Sequence, residues 1–452
     1  MTVVDAQNYL TQVRSQYEAY PFPYRRPEEE RERLLVSEVD RLGKIDHYCF
    51  GGKRDYSQPM RILIAGGGTG DALIYLSEEL RDAPCDFVYL DVCAASMETA
   101  QERAAIRGLS RIEWIHGSLL DLPRLGLGKF DYINCVGVLH HLAEPEEGLQ
   151  ALGEALADDG GMGLMVYGKY GRHSAYLLQE TLGILCHRDD PLSHRLLTAR
   201  RALSNLMSMG VVRADAATIA ALAKPESDAY LVDTYLHDTD HPFTVPEIYG
   251  LLDACELHLS GFTNFFEDQG AVCPLEYDPR LFFSDPETVA LLDGLSLPEQ
   301  GHLAEMLGGK TSMHAFYATR HEGARASMAD PECAPYFVTS YGEEVAEGIA
   351  SAKLERIGVH LNSGISSTLP LNEAMRFLLA NIDGTTILAD LLEGASNQTT
   401  AEHDMRWRAE LRASLDLLHR LGLVLMRHGD LPPITSRPST RHWNGAIDLK
   451  AF

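Results

Sequence analysis

"RILIAGGGTGDALIYL" runs from Arg61 to Leu76. An aliphatic run enters three consecutive glycines, and a helical spacing of apolar residues follows at once. Bare backbone between a strand and a helix is what a ligand needs in order to approach the chain closely. A dinucleotide fingerprint, G-x-G-x-x-G, counted from Gly66 would place its third glycine at position 71, but Asp71 stands there. The pattern present is G-x-G-x-G, at Gly66, Gly68 and Gly70. An acid in the first helical turn complements the helix dipole. It would also compete with a pyrophosphate for the same amides, which argues against a dehydrogenase. The loop therefore reads as facing something uncharged or positive, such as a cationic amino acid moiety.

The neighbouring segments supply the rest of a nucleoside site. "VYLDV" ends at Asp91 and Val92, about twenty residues beyond the loop, where a carboxylate accepts ribose hydroxyls. "IEWIHGSLLDLP" puts Gly117 and Ser118 at the end of a third strand, where adenine edges are commonly held. Strands and amphipathic helices alternate from residue 60 to Gly168, so a parallel sheet covered on both faces is expected. Residues 172 to 240 read as helical. "TVPEIYGLLDACE" carries Thr244 and Glu247 at capping-box spacing. "LHLSGFTNF" and "SMHAFYATR" read as two closing strands around a helical excursion near 285 to 306.

Residues 61 to about 170 resemble a class I S-adenosylmethionine-dependent methyltransferase. The matching stretches are "LIAGGGTGD", "LDVCAASMETAQ", "GSLLDL" and "FDYINCVGVLHHLAEPEEGLQALGEALADDGGMGLMVYG". The last is the most specific: strand, His-His pair, short loop, helix and a Gly-Gly turn before the fifth strand. The resemblance implies that Ala65, Gly66, Gly68 and Gly70 lie along the methionine moiety and that Asp91 and Val92 hold the ribose. Ser118 and Leu119 would border adenine, and Val136 to Leu139 would form the floor beneath the sulfonium. Ser118 departs from the Asp that many relatives carry. "YEAYPFPYRR" is similar to N-terminal segments that fold over the cofactor, so Tyr17, Tyr20 and Tyr24 are candidates to cap the sulfonium by cation–π contact.

The fold class expected is α/β, a Rossmann-like sheet with helical insertions, joined to a C-terminal winged-helix-like α+β domain. Boundaries are placed at 1–55 for an N-terminal helical and aromatic lid and 56–171 for the cofactor-binding core. A helical insertion is placed at 172–243 and the remainder of the methyltransferase domain at 244–329. The winged-helix-like unit is placed at 330–452, and a chain ending near Ala329 is expected to keep its own core. Within that unit "LNEAMRFLLANIDGTTILADLL" carries two helices split by an Asp-Gly turn. It is mildly similar to domains that grip peptides in enzymes modifying ribosomally made peptides.

Methyl transfer needs alignment, desolvation and removal of the acceptor's proton, with no metal. His140 and His141 follow the fourth strand, and either is a candidate base. Asp233, His237 and His241 are spaced by four, but Thr239, Asp240 and Pro242 end any helix before His241. Pocket polar groups are the reading there, and a metal is not called. Tyr167, Tyr170 and Arg172, after the fifth strand, are candidates to orient the acceptor. The acceptor class stays open between a peptide or protein side chain, preferred here, and a small metabolite taking an N- or O-methyl group. A nucleoside-binding regulatory protein without turnover is the reading from another class.

The chain has 452 residues, is 45% hydrophobic and 23% charged, and carries a formal net charge of −26. That charge disfavours wide contact with nucleic acid phosphates; the tail "SRPSTRHW" is a weak basic exception. No apolar run approaches the ~18 residues of a membrane span, and the start lacks a secretory layout. Eight cysteines without a CxxC pair read as reduced thiols, so a cytoplasmic location is expected. A homodimer stays open.

Overall fold

The computed structural model describes residues 11 to 448, except 12, 188, 212–215, 225–226, 264, 268–269, 339–347, 349–355, 362, 395–400, 435–446. The basic tail at 436–443 falls outside the described residues. Strands β1 (Met60–Ala65), β2 (Cys85–Asp91), β3 (Ile112–His116), β4 (Phe130–Val136), β5 (Leu156–Tyr167), β6 (His258–Phe262) and β9 (Met313–Thr319) form one sheet. Its order is β3-β2-β1-β4-β5-β9-β6. The first five strands are parallel, whereas β9 runs antiparallel to both β5 and β6. Strand order reverses between β1 and β4, and the loops leaving those two strands frame the crevice where such sheets bind ligands.

A helix over residues 13–19 (α1) precedes α2 (Leu42–Cys49), α3 (Asp71–Glu79), α4 (Ala94–Arg107), α5 (Leu122–Leu125) and α6 (Pro145–Ala155). One sheet face packs Leu63, Ile133 and Leu164 with Leu149 and Leu152 of α6, and the other packs Ile62, Ile64 and Tyr132 with Ile45 and Leu73. The insertion is helical as read: α7 (His173–Leu185), α8 (Leu192–Ser208), α9 (Ala216–Ala223) and α10 (Asp228–Tyr235), with a core of its own around Leu182, Leu203 and Leu231. Helix α11 (Val245–Ala254) opens with the capping box of Thr244 and Glu247. A short hairpin, β7 (Phe265–Glu267) and β8 (Gly270–Val272), precedes α12 (Pro286–Leu292) and α13 (Leu297–Gly308).

One local expectation needs correction. Gly160 and Gly161 are not a turn ahead of β5 but lie inside the strand, at a register irregularity against β4. A Cβ on Gly161 would sit 2.3 Å from Cys49, so the glycine lets α2 lie directly on the sheet.

Beyond residue 330, β10 (Cys333–Phe337) pairs antiparallel with β13 (Val424–His428), and β11 (Arg356–His360) lies between β12 (Ser366–Pro370) and β14 (Ile447–Asp448). Helices α14 (Glu373–Asn381), α15 (Leu388–Gly394) and α16 (Ala401–Arg420) enclose an apolar cluster around Leu378, Leu415 and Val424, which also takes in Cys273, Leu275 and Ala326 from before residue 330. This region grips α2. Asp46, fully buried, forms an ion pair with Arg427, and the Tyr336 hydroxyl donates to the Gly43 carbonyl at 2.7 Å. The Met426 amide donates to His47 Nδ1 at 3.1 Å.

Removing one partner of a buried pair leaves an uncompensated charge. Arg427→Ala should therefore lower unfolding free energy by about 3–5 kcal/mol in urea titrations. The double replacement of Asp46 and Arg427 by Leu should recover most of that loss, and equal losses in single and double variants would show that the pair's charge is not what matters.

Candidate active site

Cavity walls come from the C-terminal ends of β1, β2 and β4. The cavity has a volume of about 390 Å³ and is lined by Gly66, Gly67 and Gly68 after β1, Asp91 and Val92 after β2, and Gly117, Ser118 and Leu119 after β3. Val136, Gly137 and Val138 continue the wall after β4. Asp91 accepts the Gly68 amide on Oδ2 and the Cys93 amide on Oδ1, both at 2.8 Å. Burial pushes its carboxyl up, and those amide bonds pull against that rise.

Gly68 has φ +50, and a Cβ there would meet the Phe22 carbonyl oxygen at 2.7 Å. That oxygen belongs to the aromatic and proline segment before residue 27, which lies across the cavity with Phe22, Pro23 and Arg25 in its lining. Thr69 Oγ1 donates to the Pro23 carbonyl at 2.7 Å. Arg25 grips Asp71 through two nitrogens, at 3.0 and 2.6 Å, and Arg103 of α4 reaches the same carboxylate at 2.7 Å. Burial alone would raise the Asp71 carboxyl, but the two guanidinium groups overcome it and hold it at about 2. Asp71 thus has cationic partners within the protein, besides facing the cavity. Farther back, Glu18 accepts the Ala94 and Ala95 amides at 2.8 and 3.2 Å and so caps α4.

At the other end, Tyr17, His141, Tyr167 and Asp233 line the cavity together. The Tyr17 hydroxyl donates to Asp233 Oδ1 and the Tyr167 hydroxyl to Oδ2, each at 3.0 Å. Burial, then the carboxylate, raises both phenols well above their usual value, so both stay protonated. The Thr239 amide donates to His237 Nδ1 at 3.1 Å. That assigns the proton to Nε2, which lies 3.3 Å from the Tyr17 oxygen. His141 Nδ1 donates to the Thr239 carbonyl at 3.1 Å, and its Nε2 lies 3.8 Å from Asp233 Oδ1. The two imidazoles stack with centroids 3.9 Å apart. Burial holds both at about 3, so both are neutral at working pH.

Several candidate residues stand elsewhere. Gly70 does not line the cavity: with φ +96, a Cβ on it would press 2.8 Å from Ala100 of α4, so it serves helix packing. Ala65 and Leu139 turn into the core. Tyr24 is 49% exposed and lies outside the cavity wall, and Tyr20 packs on the helical insertion. His140 is fully buried against the Tyr167 ring, at 3.8 Å between centroids. Arg172 lies over that ring at 3.6 Å without reaching the cavity, and Tyr170 packs near His302. His237 touches Tyr17 and His141 but is not itself in the lining. Asp233, of the polar cluster spaced by four, stands in the lining, and Met165 and Asn134, the latter held by Asp40 at 2.9 and 2.8 Å, join it from positions with no motif to mark them. Among the described residues no three His, Cys, Asp or Glu side chains gather as a metal site, and no helix is long and apolar enough to cross a membrane.

Residues 63–162 match the family model described as a methyltransferase domain. The chain carries a class I S-adenosylmethionine-dependent methyltransferase domain. An uncharacterized protein of Synechococcus sp. is 29% identical over 308 residues, which cover 67% of this chain and 70% of that protein. The tRNA 5-carboxymethoxyuridine methyltransferase of Escherichia coli K12 is 30% identical over 115 residues, 25% of this chain and 42% of that enzyme. PKMT2 from Rickettsia typhi, solved in complex with AdoHcy, superposes with a TM-score of 0.55 at 14% identity, covering 87% of this chain and 76% of that one. The methyltransferase shares its fold with that protein.

Two measurements test this geometry. Gly68→Val must displace the Phe22 carbonyl, so cofactor affinity should fall by at least about tenfold (~1.4 kcal/mol) with the circular dichroism spectrum retained. Acid stability follows from the histidines. His47, His140, His141, His237 and His419 all have pKa values lowered by burial, to about 3 for His141 and His237 and about 4 for His419. Unfolded imidazoles bind protons near ~6.5, so stability should be full above that pH and decline as pH falls toward 4. Asp40, Asp46, Asp91 and Asp240, all raised by burial and the second and fourth to about 6, act in the opposite direction but are four against five, and Asp71, held at about 2, works with the histidines. A melting temperature unchanged from pH 7 to 4.5 would contradict this burial pattern.

Proposed function

We propose that this methyltransferase transfers the methyl group of S-adenosylmethionine to a side chain of a peptide or protein. The observation carrying the reading is that one cavity joins the glycine loop and Asp91 at one end to Tyr17, His141, Tyr167 and Asp233 at the other. At about 390 Å³ it lies at the small end of ligand pockets, roughly 300–1,000 Å³. With cofactor bound, the remaining space suits a narrow group on a longer chain better than a second bulky molecule. Outside, the insertion exposes Leu177, Ile184, Leu185 and Leu197, apolar surface of the kind a polypeptide covers.

In this reading Gly66 to Gly68 lie along the methionine moiety, Asp91 holds the ribose hydroxyls, and Ser118 and Leu119 border adenine. Val136 to Val138 form the floor under the sulfonium. The segment from Phe22 to Arg25 covers the cofactor and excludes water. Transfer is an in-line displacement needing no metal, so the protein's work is alignment and desolvation. A small-molecule acceptor is the second reading, favoured by how far that covering segment closes the cavity.

Asp91→Ala removes the ribose partner and should weaken S-adenosylmethionine binding by roughly 3–6 kcal/mol, at ~1.5–3 kcal/mol for each of two charged hydrogen bonds. Calorimetry showing equal affinity would remove Asp91 from the cofactor site. Labelled cofactor, supplied with a lysate of the protein's own organism, should place label in the polypeptide fraction; label only in low-mass products would favour the second reading.

A further inference from the structure

The polar end of the cavity has a charge pattern of its own. Asp233 is 2% exposed, yet faces the cavity. Its two oxygens each receive a tyrosine hydroxyl proton, so neither Tyr17 nor Tyr167 has a proton left to offer an anionic oxygen. The imidazoles beside it are neutral. Among the described residues lining the cavity the one cation is Arg25, which is bound to Asp71. Arg172 lies against the Tyr167 ring and stays out of the lining. At this end of the cavity a phenolate, enolate or carboxylate acceptor would thus meet the Asp233 carboxylate, with both tyrosine hydroxyls already committed to it. A second cavity, of about 450 Å³, has His237 in its wall and is lined by Glu180, Asp238 and Asp240 against the single guanidinium of Arg195. Both chambers favour a cation.

We infer that the methyl acceptor is an amine nitrogen, and that Asp233 selects it by binding the ammonium charge that transfer creates. This rests on the methyltransferase reading and holds whether the amine is on a peptide or a small molecule. The amine sheds its ammonium proton to solvent before reaction. Its lone pair forms the N–C bond as the S–C bond breaks, and the S–C electron pair stays on sulfur. Positive charge passes from sulfonium to nitrogen, leaving S-adenosylhomocysteine neutral and a methylammonium beside Asp233. The carboxylate, already oriented by its two hydroxyls, stabilises that developing charge without reorganising.

Full-length protein loaded with S-adenosylhomocysteine, titrated with n-butylammonium and with butyrate, should bind the first and not the second. Asp233→Asn should weaken butylammonium binding by at least about tenfold, the loss of one charged hydrogen bond, and leave S-adenosylhomocysteine affinity within about threefold. Tyr167→Phe, which keeps the charge, should lose far less. With labelled S-adenosylmethionine, butylamine or an Nα-acetyl-lysine amide should yield alkali-stable N-methyl product. Butyrate binding as well as butylammonium, or Asp233→Asn binding ammonium like wild type, overturns the inference, as does label on oxygen, carbon or sulfur. If Asp233→Asn does not fold, the butylammonium and butyrate titrations of wild type decide. N-methylation of butylamine but not of lysine amide would overturn the peptide reading alone; methylation of a peptide away from nitrogen would overturn the amine alone.

Discussion

The carboxylate of Asp71 ties three segments into one wall. It opens α3 directly after the glycine loop, accepts Arg103 from α4 and accepts Arg25 from the segment lying over the cavity. A charge at a helix N-terminus is favourable by itself. Two guanidinium groups make it a fixed junction. Through it the cover inherits the rigidity of the sheet, and Gly68 can let the Phe22 carbonyl pass close because Arg25 holds the next turn of chain in place. Glu30, paired with Arg103, extends the same network away from the cavity.

Asp233 performs the corresponding task at the opposite end with a different chemistry. There the hydrogen-bond partners are hydroxyls, where Asp71 is gripped directly by two guanidinium groups. The difference lies in the neighbours: Arg25 and Arg103 reach Asp71, while Tyr17, Tyr167 and two neutral imidazoles surround Asp233. One acid stabilises architecture, and the other leaves a field inside the cavity. A buried charge without a cation in direct contact is costly to folding, and here three elements, α1, β5 and α10, are needed to supply its hydrogen bonds and contacts.

The sheet was legible because its signal is periodic and local. Apolar strands followed by amphipathic helices, and a glycine loop between the first such pair, leave few topologies open. The places of Asp91 and Ser118 in the cavity wall were legible for the same reason, since one ends a strand and the other follows one, at a predictable distance from that loop. Gly70 was misread because a glycine required by helix packing against Ala100 looks, in sequence, like one required by a ligand. Tyr17 and Tyr24 are seven residues apart in one aromatic stretch, yet only Tyr17 reaches the cavity, because the prolines between them turn the chain. Asp233 lies 142 residues beyond Asp91, inside a helical insertion with no strand to set its register. Its role depends on two tyrosines whose separation in sequence carries no pattern.

The short helix α2 joins the cavity to the region beyond residue 330. Ser37 and Glu38, just before it, line the cavity, and Asp40 holds Asn134 on the cavity wall. Six residues further, Asp46 and His47 take up Arg427 and the Met426 amide from β13. Tyr48 stacks on Tyr317 of β9 at 4.8 Å, fixing the same helix to the sheet. The segment from 37 to 49 is thus bounded by the cavity, the sheet and the C-terminal strands at once, with a buried charge pair at one end. Such a segment cannot shift at β13 without straining Asp40 and its bonds to Asn134, because packed interiors resist continuous deformation. The C-terminal region therefore belongs to the mechanics of the cavity wall, whatever else it binds.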